Sequence, residues 1–358
     1  MPVLEKTMMD KSTTQILDTL ASHLDSSLSI NQLTQKINEK YGAAYYANIY
    51  KKLQKLKKRE LLTLDQIGRS SIIKLNFQNH FLIDLLAEME IEKKIEFFKK
   101  KNELFPLLTE LDQSLNDMCS IKSISSIKPE RNIRLNRIEL LFLLRKTSHY
   151  HSETIKLYTK MRELQNKYNI RITSLILDEK TFSDLISSNE INPLSEALSH
   201  MLTLFCPQSF WGEIRRIKEK TEIRNIRPET NPAKISDSDL IHNLNRFGYK
   251  EFGWNIEQGK EICIEYLTTA LLLQNDVRRF EAVPIILSKN AFRSNLLTFL
   301  SQKFGTSGKL LGLLKILRNI KPTSDIDKTI EILETLDIEE LPADERSIFE
   351  KMRLYNAT

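Results

Sequence analysis

The chain has 358 residues, of which 41% are hydrophobic and 28% charged, with a net charge of +6. This excludes a mostly disordered polypeptide and leaves room for two or three domains. No run approaches the roughly 18 apolar residues of a membrane helix, and the opening MPVLEKTMMDKSTT lacks the apolar stretch of a signal peptide. Cys119, Cys206 and Cys263 lie far apart with no CxxC pair. That argues against a disulfide framework or a thiolate zinc site and fits a reducing cytoplasm. With 9 glycines, few places in the chain can form a phosphate-cradling loop.

The charge is unevenly spread. Residues 1–80 carry 12 Lys/Arg against 7 Asp/Glu, residues 81–234 carry 25 against 22, and residues 235–358 carry 16 against 18. The first two-thirds is the part suited to a polyanion.

Ser12 to Leu24 places Ile16, Leu17, Leu20, Ala21 and Leu24 at helical spacing, with Asp10 or Ser12 as the cap. After Asp25-Ser26-Ser27, Ser29 caps a second helix, Ile30–Lys40, with Ile30, Leu33 and Ile37 inward and Gly42 at its end. A third helix runs from Ala43 to Arg59, its apolar stripe made of Ala47, Ile49, Tyr50, Leu53 and Leu56. Two β-rich runs, Leu61–Leu64 and Ser71–Leu75, flank a bend through Asp65–Arg69 that reads as a hairpin turn.

Three helices and a hairpin in this order, with LSINQLTQKIN…YYANIYKKLQKLKKRELL, resemble the winged helix-turn-helix domains of regulators. The resemblance implies that the third helix enters a DNA major groove. Its outer side carries Tyr45, Tyr46, Asn48, Lys51, Lys52 and Lys55, followed by Lys57, Lys58 and Arg59. Lysines there neutralise phosphates, Asn48 reaches a base edge and Arg69 at the wing tip enters a minor groove. The alternatives are a lysine run that complements the helix dipole and a winged helix that binds protein.

Phe81–Lys101 continues as helix through Phe81, Leu82, Leu85, Leu86, Met89, Ile95 and Phe98. Pro106 interrupts it and Leu107–Met118 resumes. This connector either pairs with a second copy in a homodimer or packs on the next domain.

Next come a strand at Cys119–Ile127, a turn near Pro129, a strand at Ile138–Leu144, a helix at Ser152–Tyr168, a strand at Ile170–Leu177 and a helix from Glu179. The order, and the stretch from Glu139 to Trp211, resemble the minimal nucleotidyltransferase fold. The catalytic residues of that family do not carry over. Its phosphate-holding Gly-Ser is here Ser125-Ser126-Ile127-Lys128-Pro129. Its metal-binding Asp-x-Asp is Arg137-Ile138-Glu139, and Ile170–Leu175 offers no third acid. The resemblance therefore implies a catalytically inactive domain with no cofactor and no metal. Lys128, Arg131, Arg134, Arg137 and Arg145 suggest a basic surface for nucleic acid or a phosphate-bearing ligand; the alternative is a charged loop paired with acids elsewhere. His149 and His151 are too few for a metal site.

Residues 221–238 read as a linker, with Ser236 or Asp237 capping the next helix. Helical segments follow to the end of the chain. Gly305-Thr306-Ser307-Gly308-Lys309 lacks P-loop spacing and reads as a helix–helix turn. Phe247-Gly248-Tyr249 and Phe252-Gly253-Trp254 either seal a core or stack bases.

The expected chain is α+β and multidomain: a winged helix at 10–78, a helical connector at 79–118, a nucleotidyltransferase-like α/β domain at 119–220, a linker at 221–238 and an all-α domain at 239–358. The expected function is a non-enzymatic, cytoplasmic, DNA-binding transcriptional regulator with no membrane partner. The alternatives are an RNA- or ribosome-associated factor and a toxin–antitoxin-type nucleotidyltransferase.

Overall fold

The structure, a computed structural model, describes residues 9–42, 44–68, 70–115, 120–129, 136–223, 231–250, 258–274 and 276–357. Its architecture is α+β. In chain order the elements begin with α1 (Lys11–Ala21), β1 (Leu28–Ser29), α2 (Ile30–Tyr41), α3 (Tyr46–Lys58), β2 (Leu62–Ile67) and β3 (Ser70–Leu75). There follow α4 (His80–Lys100), α5 (Phe105–Leu115), β4 (Ile121–Ile127), β5 (Arg137–Leu144), α6 (Tyr150–Tyr168), β6 (Arg171–Asp178), α7 (Glu179–Ser187) and α8 (Pro193–Ala197). The remainder is β7 (Met201–Phe205), α9 (Pro207–Lys220), α10 (Asp237–Arg246), α11 (Ile264–Leu273), α12 (Val277–Lys289), α13 (Ser294–Phe304), α14 (Ser307–Ile320), α15 (Ser324–Thr335) and α16 (Glu345–Leu354). No helix among the described residues is long and apolar enough to cross a membrane. The chain divides into two compact units, residues 1–130 with 197–226 and residues 131–196 with 227–358.

In the first unit, local chemistry sets the helix ends as expected. Asp10 accepts the Thr13 N–H at 2.9 Å. Ser29 and Gln32 form a reciprocal capping box at the start of α2, and Gly42 ends it at φ 87°. Ile16, Leu17, Leu33, Ile37 and Leu53 are fully buried where the three helices meet. The strands pair in the order β1-β3-β2. The two-residue β1 was not expected; it is too short to carry a periodic signal. The hairpin is longer than expected, because Asp65 pairs with Ile72 and Ile67 with Ser70. The bend is correspondingly shorter, with Gly68 at φ 60° in the left-handed conformation that glycine adopts without strain.

Some expected inward residues face out. In α3 only Ile49, Leu53 and Leu56 are buried; Ala47 is exposed, and Tyr50 is 42% exposed. The buried three are spaced at i, i+4 and i+7, and residues 47 and 50 fall off that stripe. In α4 the inner face is Leu82, Leu85, Leu86 and Met89, while Phe81 and Ile95 are exposed. This inner face packs within the unit, against α9 and β7. Pro106 occupies the first turn of α5, where its missing N–H costs nothing. Strand β7, antiparallel to β4, was not expected either. A five-residue apolar run cannot be assigned by periodicity, and this one is held by its pairing with β4.

In the second unit β5, α6 and β6 form a parallel strand–helix–strand, registered from Arg137 opposite Arg171 to Leu144 opposite Asp178. Leu140 to Leu144 are all fully buried, as in a parallel strand covered on both faces. Asp178 caps α7 through the Thr181 N–H at 2.8 Å.

Helices α10 to α16 share one apolar core, the helical C-terminal region expected. Ser236 caps α10. Residues 224–230 of the expected linker lie outside the described residues. Gly248, at φ 89°, lets the chain turn back so that fully buried Tyr249 stacks on Tyr355 at 4.9 Å. Phe247-Gly248-Tyr249 therefore seals a core, while Phe252, Gly253 and Trp254 lie outside the described residues.

The turn between α13 and α14 falls within residues 305–309, as expected. Gly305 ends α13 at φ 72°, and α14 starts two residues later. The next glycines answer to packing. A Cβ on Gly308 would lie 2.7 Å from the Glu339 carbonyl oxygen, and one on Gly312 would strike the Leu341 carbonyl. The Leu341 N–H donates to the Gly308 carbonyl at 3.1 Å. The 339–341 backbone thus lies directly on a glycine stripe of α14.

Candidate nucleic-acid interface

Helix α3 carries five lysines and no carboxylate. Its apolar stripe holds it in the core and turns the remaining faces to solvent. Tyr45 is 70% exposed and Tyr46 48% exposed, and Asn48, Lys51, Lys55, Lys57 and Lys58 are all exposed. Among the described residues no ion pair holds Lys51, Lys55, Lys57 or Lys58. Tyr45 caps α3 without a side-chain hydrogen bond, so the first turn of the helix keeps N–H groups free of a side-chain acceptor.

One of the expected contacts changes. Lys52 is turned away from this face and ion-paired with Asp10, the residue that caps α1. Partial burial would raise the Asp10 carboxyl, but the bonds from Lys52 and Thr13 outweigh it and hold the group below its usual range. Lys52 therefore acts as a brace between α3 and α1. Arg69 lies outside the described residues. In return the structure adds one aromatic ring to the exposed side of α3, Tyr50, which is 42% exposed. Tyr50 stacks on Tyr46 with ring centroids 6.1 Å apart. Their i, i+4 spacing is present in the sequence, but only the packing of α3 turns Tyr50 outward beside Tyr46.

The second expected surface is less coherent. Arg131 and Arg134 lie outside the described residues, and Lys128 is half-buried, in the first unit. In the second unit Arg145 is exposed. Arg137 is 3.3 Å from Glu139 and so already holds a carboxylate, which removes it as a free cation.

Glu139, the one acid left at the nucleotidyltransferase metal position, is 1% exposed. Besides Arg137 it meets Lys303 at 3.2 Å. Its charge is neutralised by two cations, and it serves as the centre of a buried ion cluster. His151 is paired with Glu331 at 2.7 Å, and His149 stands exposed ahead of α6. Among the described residues no three His, Cys, Asp or Glu side chains come together in a way that would hold a metal.

Arg279, at the start of α12, is held by Asp237 at 2.8 Å and Asp276 at 3.4 Å. Arg279 is thus tied into the second unit at a helix N-terminus, where a cation needs acidic neighbours, while Arg278 is exposed. Family models, curated proteins and solved structures contain no match to this chain.

Proposed function

We propose that residues 10–78 form a winged helix that binds double-stranded DNA through α3, and that the chain is a DNA-binding regulator without catalytic activity of its own. The observation that carries this reading is the composition and freedom of the α3 face. Lys51, Lys55, Lys57 and Lys58 are exposed on a helix with no acid, beside Asn48 and Tyr46. Unpaired lysines release counterions from phosphates without first breaking an ion pair. An exposed Asn has the donor and acceptor that an adenine edge requires. The order β1-β3-β2 behind three helices supports the winged-helix assignment. Glu139 supports the absence of nucleotidyl transfer, since its carboxylate is already bound by Arg137 and Lys303.

The exposed tyrosines favour a second reading, an RNA-binding factor. Stacked, solvent-facing rings such as Tyr46 and Tyr50 suit unpaired bases.

Binding of the intact chain to random duplex DNA and to matched RNA across a salt series separates the two. The DNA reading expects duplex preference, a steep salt slope, and loss of binding in Lys51→Glu/Lys55→Glu. RNA preference that persists in that double variant overturns it.

A further inference from the structure

The second unit contains a cavity of about 770 Å³ that no part of the proposed DNA-binding reading uses. One wall is the C-terminal half of α6. Arg162, Gln165 and Asn166 stand there at i, i+3 and i+4, on one face, and Asn169, the left-handed residue that ends the helix, completes the wall. The start of β6 with Arg171 also lines it, as do Gln302 in the last turn of α13 and the turn that leads into α14. The lining holds two arginines and no Asp or Glu.

The frame of the cavity is fixed by its own hydrogen bonds. Gln165 Oε1 accepts the Ile172 N–H at 3.0 Å, the Asn136 amide donates to the Asn169 carbonyl at 3.0 Å, and Arg171 donates to the Gln302 carbonyl. Other groups are left over. Arg162 is half-buried and, among the described residues, has no ion-pair or hydrogen-bond partner. Its sequence neighbour Glu163 pairs with Lys160 at 3.4 Å instead. The side-chain oxygen of Gln302 is buried with no donor beside it. A free guanidinium calls for a planar or tetrahedral oxyanion. A buried amide oxygen calls for a hydroxyl or amino hydrogen. A cavity of this volume falls in the range of small-molecule sites.

We propose that this cavity binds a phosphate ester of about mononucleotide size. Arg162 grips the phosphoryl oxygens, and Gln302 accepts a hydrogen from a hydroxyl or amino group on the same molecule. The proposal does not depend on nucleic-acid binding by α3, which lies in the first unit.

Calorimetric titration of the intact chain with inorganic phosphate, adenosine monophosphate and glucose 6-phosphate tests it. At least one ester binds with a Kd below about 1 mM, and tighter than inorganic phosphate. Arg162→Glu weakens that ester at least about tenfold, the scale expected for losing a charge-assisted contact. Arg353→Glu, which changes an exposed arginine of the same unit outside the lining, leaves it unchanged. Which ester binds tells a nucleotide site from a sugar phosphate site. Arg162→Gln provides a milder variant, read in the same way, should the charge reversal lower the melting temperature. The proposal is overturned if neither ester binds, if inorganic phosphate binds as tightly as both, or if affinity survives in both Arg162 variants.

Discussion

The Nζ of Lys93 on α4 lies 2.9 Å from the carboxylate of Asp18 on α1, which is 2% exposed. The same ammonium is 3.0 Å from Glu90, itself 3% exposed, and Glu90 accepts the Thr203 N–H of β7 at 2.6 Å. Lys40 and the Tyr41 hydroxyl also reach Asp18. One cation thus ties the three-helix segment to the connector helix and to β7. Burial alone would raise the Asp18 carboxyl, but Lys93 and Lys40 outweigh it and hold the group well below the carboxylate range. At Glu90 burial wins, and the carboxyl is pushed up despite Lys93.

Replacing Lys93 by Met leaves two buried carboxylates short of their shared cation. Breaking a buried pair from one side costs about 3–5 kcal/mol, and Lys40 still neutralises Asp18, so a loss of about 3 kcal/mol in urea unfolding at pH 7 is expected. The pH dependence has a definite sign. A depressed carboxyl contributes stability that is fully present above its unfolded value and is lost as pH falls through the native one. The difference between wild type and Lys93→Met therefore begins to narrow below about pH 4, where Asp18 of the unfolded chain gains its proton while native Asp18 is still charged. With its cation gone, Glu90 rises further, so the variant loses stability as pH climbs above about 4.5. A gap that widens on acidification would contradict this.

The glycines of α14 and α9 are expected to respond oppositely to alanine. Gly308→Ala and Gly312→Ala drive a methyl into the 339–341 backbone, at a cost of about 1–3 kcal/mol each. Gly212, inside α9, has nothing within 4 Å of the place its methyl would take. Gly212→Ala stabilises by about 0.5–1 kcal/mol through helix propensity. Thermal melts of the three single variants check the contrast.

Lys51 and Lys52 are adjacent in sequence and are expected to behave differently. Lys51→Ala reduces the slope of log K against log salt by about 1, with folding stability unchanged. Lys52→Ala removes the brace to Asp10 and lowers stability by about 0.5–1 kcal/mol, with little change in the slope. Equal salt slopes for the two variants would mean that the exposed face of α3 is not the contact surface.

Glu139→Gln separates a structural carboxylate from a metal ligand. Lys303 and Arg137 lose their counter-charge, and stability falls by about 2–4 kcal/mol. Magnesium is expected to leave the melting temperature of both proteins unchanged. A magnesium-dependent rise in wild type that Glu139→Gln abolishes would restore the nucleotidyltransferase reading.

Much of the first unit could be read in the chain because its signals are local. Ser29 with Gln32, Asp10 before α1 and Gly42 after α2 satisfy or end helices through residues within a few positions of each other. The lysines of α3 are visible as a run. Whether each lysine is free is not: Lys52 differs from Lys51 only in having Asp10, 42 residues away, within reach. Likewise Arg137 is a cation in sequence but the partner of Glu139 in space. The apolar residues of α3 and α4 were visible, but which of them face inward depends on the neighbours that cover one side.

By itself, the sequence determined most helical segments, several of their caps, the two strands that flank α6 and the surplus of lysine on α3. Capping and periodicity act over one or two turns, so nearest neighbours suffice. Tertiary structure alone decided the five-residue β7, the ion cluster on Lys93, the glycine stripe under residues 339–341 and the cavity beside Arg162. Each of these depends on groups far apart in the chain meeting at close range, where burial and charge neutralisation set the energy.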